Sequence, residues 1–308
     1  MKALFKFIGL IVVLFAMFWL IWIPSPQEPG YIFVSAWGEF NDPIGIAVSD
    51  AEVFVSDSRN GKIQVFDFDG NFKRAFGEKE LGRPMNLTIH DNELYVADYW
   101  NDNILIYSLD GELLRSIGQA GNGPSEFNGV AGVAVNDKGE LFVADFSNQR
   151  IQHLRPDGEF IEQLGTTEKV GISSGEMNYP TDVAIATDGT LYVADGYNDR
   201  IQVFSSDGEF LHKWGGPFAL NIPGPFNGWF ATVSSVAIGP HGNVFATDFS
   251  NNRVQKFAPD GTFLSAFGEK GEGQGQFDRA VAVAVAKDGT VFVTDLGNNR
   301  IQKWRAKP

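Results

Sequence analysis

Cysteine is missing from all 308 residues. That removes disulfides, thiolate zinc sites of the RING or finger kind, thiol nucleophiles and a lipoprotein signal. Histidine is scarce, with 4 in the chain. Positive charge is short as well: 24 lysines and arginines face 38 aspartates and glutamates, for a formal net charge of −14. Such a balance repels phosphate backbones, and no nucleic-acid partner is expected. Apolar residues are not lacking. At 44% they suffice for a large core and exclude wholesale disorder. The 35 glycines and 14 prolines are spread along the chain, a turn-rich pattern without low complexity.

One long hydrophobic run does occur. Phe7 to Ile23 is uninterrupted (FIGLIVVLFAMFWLIWI) and follows Lys2 and Lys6. With Ala3, Leu4 and Phe5 it reaches about the twenty residues a spanning helix needs. A cleaved signal peptide has an apolar core of about 7–15 residues and ends at small residues. Here the run ends in Trp19, Trp22, Ile23 and Pro24, so residues 1–23 read as an uncleaved transmembrane anchor. The tryptophans suit the far interface, and the lysines hold the N-terminus in the cytoplasm. The next basic residue, Arg59, is too distant to compete for orientation. Residues 24–30, which include SPQEPG, read as a short stiff tether. The expected placement is a single-pass membrane protein whose body, residues 31–308, is periplasmic or extracellular.

That body is repetitive. One phrase recurs six times: VFVSDSRNGKIQVF from Val53, LYVADYWNDNILIY from Leu94, LFVADFSNQRIQHL from Leu141, LYVADGYNDRIQVF from Leu191, VFATDFSNNRVQKF from Val244 and VFVTDLGNNRIQKW from Val291. Each joins two alternating runs through an Asp-x-x-Asn turn, and the aspartates recur about every 41 to 53 residues, near the period of a four-stranded propeller blade. A small, β-branched apolar strand precedes each phrase, as suits strands crowded around an axis. An Asp-Gly hairpin signal and a fourth strand ending in Gly follow the first five. The units lie near 43–77, 84–118, 130–165, 180–215, 233–268 and 280–308.

The sixth unit lacks its fourth strand. The missing piece is at the other end, where YIFVSAWG (31–38) reads like TFLSAFG (262–268), with Phe33 matching Phe263 and Trp37 matching Phe267. Pairing this segment with the last unit would close the ring and remove its open edges. With its aromatic-Val-Ala-Asp, Asn-x-Arg-Ile-Gln and Asp-Gly elements, the phrase resembles the NHL repeat. The resemblance implies an all-β, six-bladed propeller, a fold that hosts binding modules, sensors and a few enzymes.

In a repeat fold, function is sought where the units differ. The shared Asp-x-x-Asn set and the recurrent Arg150, Arg200, Arg253 and Arg300 read as backbone and inter-blade hydrogen bonding. Phe40, Phe127, Phe226 and Phe277 read as plugs between blades. The unshared residues are Tyr99, Trp100 and Tyr197 in the phrase turns, Trp229 in the long 216–233 linker, and Asp182, the one charge at the third position of the inner-strand motif. These five are the candidate ligand- or partner-binding residues. The expected function is a non-catalytic binding module, a sensor or scaffold, with no catalytic residue assigned.

The alternative is a metal-dependent hydrolase or lyase at the axial mouth, with Asp182 and Tyr197 serving a divalent cation. The fourth unit, PTDVAIATDGTLYVADGYNDRI from Pro180, is similar to a blade of peptidyl-α-hydroxyglycine lyase, a zinc propeller. That family sets its zinc histidines directly after a proline that opens an inner strand. The matching positions here are Ile44, Met85, Ala131, Thr181, Ser234 and Val281, none of which binds zinc as histidine does. Gly171 to Gly175 fits G-x-S-x-G without the strand and helix of a nucleophile elbow, and the glycines at 271, 273 and 275 lack a phosphate loop's helix and lysine.

Overall fold

Alternating apolar runs separated by turns have one economical solution, a stack of hairpins. The computed structural model describes residues 24–308, so the anchor expected at 1–23 lies outside them. Among the described residues, six four-stranded sheets are present. Their first strands are Pro43–Val48, Pro84–His90, Val130–Val135, Pro180–Ile185, Val233–Ile238 and Ala280–Val285. Each packs on the first strand of the next blade, and the sixth packs on the first, which makes a closed ring. No helix among the described residues is long and apolar enough to cross a membrane.

Closure comes from the N-terminal strand. Tyr31–Trp37 runs antiparallel to Arg300–Ala306 as the fourth strand of blade six, with Phe33 opposite Trp304 and Trp37 opposite Ile301. Phe263 opposite Phe257 and Phe267 opposite Val254 hold the same places in blade five. Tyr31 also lies against Phe267, ring centroids 4.7 Å apart, and so ties the seam to blade five.

The tether expected at 24–30 is instead pinned to blade five. The Gln27 and Glu28 amides both donate to Leu264 O, Glu28 pairs with Lys256, and Asn227 donates to Pro24 O. Backbone donors and a carboxylate in this segment find partners on the blade edge, which a free spacer would leave to water.

Each phrase turn is a polar staple. Asp195 is fully buried and accepts from Asn178 N, Asn198 Nδ2, Arg200 Nε and Gln202 Nε2. The Arg200 and Gln202 side chains then donate to the Glu176 carbonyl of the preceding linker. Asp145, Asp248 and Asp295 repeat the pattern with Arg150, Arg253 and Arg300. The residue after each turn asparagine is left-handed, and its side chain reaches the following blade: Asp102 to Gly129 N, Gln149 to Tyr179 N, Asp199 to Thr232 N, Asn252 to Arg279 N. In blade one that residue is Gly61, where a Cβ would press on Leu81 O.

Candidate functional site

The six residues at the zinc-histidine positions do converge. Ile44, Met85, Ala131, Thr181, Ser234 and Val281 ring the axis on the linker face. With Arg83, Asn86, Tyr99, Phe146 and Tyr197 they line a cavity of about 440 Å³. The Thr181 and Ser234 hydroxyls are engaged in the wall, donating to Val233 O and Val281 O of the next blades. The polar groups that face the cavity are Arg83, the two tyrosine hydroxyls and Asn86, which also bonds Asp182.

One side of the mouth is aromatic. Phe146 stands 6.1 Å from Tyr99 and 6.2 Å from Tyr197, and Tyr179 backs Phe146 at 4.8 Å and Tyr197 at 5.2 Å. Tyr197 is 53% exposed. Among the described residues no salt bridge engages the Arg83 head: its guanidinium lies 5.8 Å from the Trp100 ring, and its Nε is buried without a hydrogen-bond partner. Trp100, 64% exposed, therefore does not line the cavity but holds the arginine that does.

Below the mouth the axis is crossed by a polar layer. Gly45, Asn86, Gly132, Asp182, Ser235 and Ala282 occupy one level of the six inner strands. A Cβ on Gly132 would meet Asp182, so that glycine makes room for the carboxylate. Asp182 Oδ2 accepts from Ser235 Oγ (2.8 Å) and Val236 N (3.0 Å), and Asn86 adds a further hydrogen bond. Beyond the layer lies a second axial cavity of about 330 Å³ lined by apolar inner-strand residues together with Asn86, Thr88, Asp182 and Ser235.

Burial pushes the Asp182 carboxyl up to about 7, although every hydrogen bond it receives pulls the other way. The folded protein thus holds this proton more tightly than the unfolded chain. The stabilisation is complete below the ordinary aspartate range near 3.9 and fades as pH climbs to about 7. Asp182→Asn removes this titration. Its melting temperature relative to wild type should rise by several degrees between pH 5 and pH 8; a constant difference would show that the carboxyl does not titrate in this window.

The structure separates the residues of the hydrolase or lyase alternative. Tyr197 lines the mouth, whereas Asp182 lines the inner cavity beyond the polar layer. Asp182 faces the hydrogen-bond donors Ser235 Oγ and Val236 N, and burial raises its pKa to about 7. Among the described residues no three of His, Cys, Asp or Glu gather as a metal-binding group. His153 instead sits between Glu140 and Glu162 and stacks on Phe142, away from the axis.

Trp229 stands away from the mouth. It is 7% exposed, packs edge-on against Phe226, and its carbonyl accepts from Arg253 and Gln255. Those are the bonds that Glu126 O receives from Arg150 and Gln152. The counterpart of the plug Phe127 is therefore Phe230, fully buried, and not Phe226. The 216–233 linker carries extra residues relative to the shorter linkers, which shifted the alignment. Sequence reasoning also missed Arg83 and Phe146 as mouth residues together. Phe146 holds in its phrase turn the position Tyr99 holds in blade two, whereas nothing local marks Arg83 as facing the axis.

Comparisons with known proteins agree with this architecture. Residues 40–66, 177–204 and 277–304 match the NHL repeat, and residues 77–167 match a family described as a 6-bladed beta-propeller. Three units are thus matched as NHL repeats within a six-bladed β-propeller. A streptogramin B lyase structure is similar with a TM-score of 0.62 at 17% identity, covering 90% of this chain and 97% of that one. A structural-genomics protein of unknown function from Bacteroides thetaiotaomicron reaches 0.69 at 16% identity, covering 92% and 74%. The WD40 propeller domain of Doa1 reaches 0.64 at 14% identity, covering 91% and 98%. At these identities the likeness is one of fold. No curated protein matches the chain.

Proposed function

We propose that this protein is a membrane-anchored, extracytoplasmic binding propeller whose axial mouth takes a small amphipathic organic anion. The single observation that carries the ligand class is Arg83, a cation that lines the mouth without a salt-bridge partner among the described residues, beside a wall of Tyr99, Phe146 and Tyr197. A carboxylate or sulfonate would pair with the guanidinium where it lines the cavity, and an apolar or aromatic body would lie against the rings. Anchoring rests on the Phe7 to Ile23 run and the lysines before it.

Calorimetric titration with naphthalene-2-carboxylate and its neutral analogue 2-naphthylmethanol tests the reading. The carboxylate should bind about tenfold tighter than the alcohol, as a charge-assisted bond predicts. Arg83→Gln should erase that preference, and Tyr197→Ala should weaken both ligands. Equal affinities for the two probes, or an unchanged preference in Arg83→Gln, would refute an anion site.

A further inference from the structure

Two long linkers carry apolar side chains outward. Val170 and Ile172, in the linker between blades three and four, are each 50% exposed; Leu220 and Ile222, in the next linker, are each 43% exposed. Phe218 is 68% exposed beside them. Contiguity follows from one guanidinium: Arg200 Nη1 donates to Ile172 O and to Ala219 O, so the two linkers adjoin. Apolar residues gathered this way are a contact surface more often than an accident of composition.

The backbone there is held in an unusual shape. Phe218, Ala219 and Asn221 have φ of 58°, 48° and 56°, a region that residues with side chains rarely occupy unless the surroundings impose it. Gly216 N donates to Gly228 O, and Gly216 lies close to Ile222 O, which folds the linker into a loop that presents its apolar residues.

What lies next to this patch decides its partner. Gly228 also approaches Pro24, whose carbonyl accepts from Asn227. Pro24, the first described residue, therefore sits against the 216–233 linker, and the apolar run Phe7 to Ile23 directly precedes it in sequence. Because Gln27 and Glu28 are fastened to blade five, no free spacer lies between the run and the propeller. A bilayer holding the run would be brought against this sector of the linker face.

We infer that Val170, Ile172, Leu220 and Ile222 form a lipid-contacting rim that seats the propeller on the surface of the bilayer. The basic side chains beside the rim are engaged: Lys169 pairs with Glu176, and Lys213 reaches Ile172 O. The rim's contact is accordingly with the interfacial acyl region through apolar burial, not with anionic headgroups through charge. This inference rests on the anchoring proposed above, while the ligand site is independent of it.

The absence of cysteine makes the test direct, because one introduced thiol can be labelled without background. Full-length chains carrying Ile172→Cys, Leu220→Cys or Ile222→Cys are labelled with the environment-sensitive fluorophore NBD and reconstituted into phosphatidylcholine vesicles. Controls carry Asp157→Cys or Asp207→Cys, in exposed hairpins on the opposite face. The three rim labels should shift to the blue and be quenched several-fold more by doxyl-labelled lipid than the controls. Flotation with the vesicles, but rim quenching equal to that of the controls, would overturn the rim and leave the anchor intact. Failure to float would overturn both.

Discussion

Asp195→Ala should cost about 3–5 kcal/mol of folding free energy, enough to unfold a substantial fraction of the protein at moderate temperature. The reason is the partner left behind. Arg200 is fully buried, and Asp195 is the carboxylate that balances it at 2.7 Å. Burial raises the Asp195 pKa even with that arginine present, which measures how poorly the site solvates charge. Blade one provides an internal comparison. There Lys62 replaces the arginine, is partly exposed, and approaches Glu78 instead. Asp57 accepts from Asn41 N, Asn60 and Gln64, so Asp57→Ala strands neutral donors only and should cost about 1–2 kcal/mol. Denaturant midpoints of the two variants check the ordering. Equal losses would mean that the stranded guanidinium is not the dominant cost.

Deleting residues 1–38 should remove most of the folding free energy of the propeller, a loss on the scale of the ~5–15 kcal/mol that stabilises whole domains. It takes away the fourth strand of blade six, the Phe33 and Trp37 contacts with Trp304 and Phe292, and Tyr31 against Phe267. It also exposes the edge of Arg300–Ala306. Deleting 1–29 spares the strand and, among the described residues, forfeits the bonds of Pro24, Gln27 and Glu28 to blade five and its linker, worth about 1–2 kcal/mol. Melting temperatures of the two truncated proteins decide it. If they coincide, the seam contributes nothing to stability.

The blades were readable because the repeat presents the same physics six times. A strand alternation, an Asp-x-x-Asn turn and an Asp-Gly turn each have local causes, and their coincidence at one period leaves few alternatives. The seam was readable because Tyr31 to Gly38 keeps the aromatic spacing of an ordinary fourth strand. The mouth was legible only in part. Tyr99 and Tyr197 stood out because their positions vary between units, and they do line the cavity. Arg83 precedes an inner strand like any linker residue, and only the assembled ring turns it toward the axis. Trp229 lies away from the mouth for a reason its own segment does not show. An aromatic in a long linker looks exposed in sequence, yet its carbonyl is the one the arginine and glutamine of its blade require. The proton on Asp182 had no local sign, since Asn86, Gly132 and Ser235, from three other blades, enclose it.

The seam also fixes an order of events during synthesis. Strand Tyr31–Trp37 is made first, but its partner Arg300–Ala306 is made last. Blades one to five can each form from contiguous chain, whereas the sixth waits for the final residues. Until then an N-terminal strand and the flank of blade one stay unsatisfied, and both can pair wrongly. A chain emerging vectorially across a membrane would hold its first strand at the point of insertion while the rest of the ring grows around to it. Truncated or stalled chains would then be the species most exposed to proteolysis and aggregation, because ring closure is the only step that hides their edges.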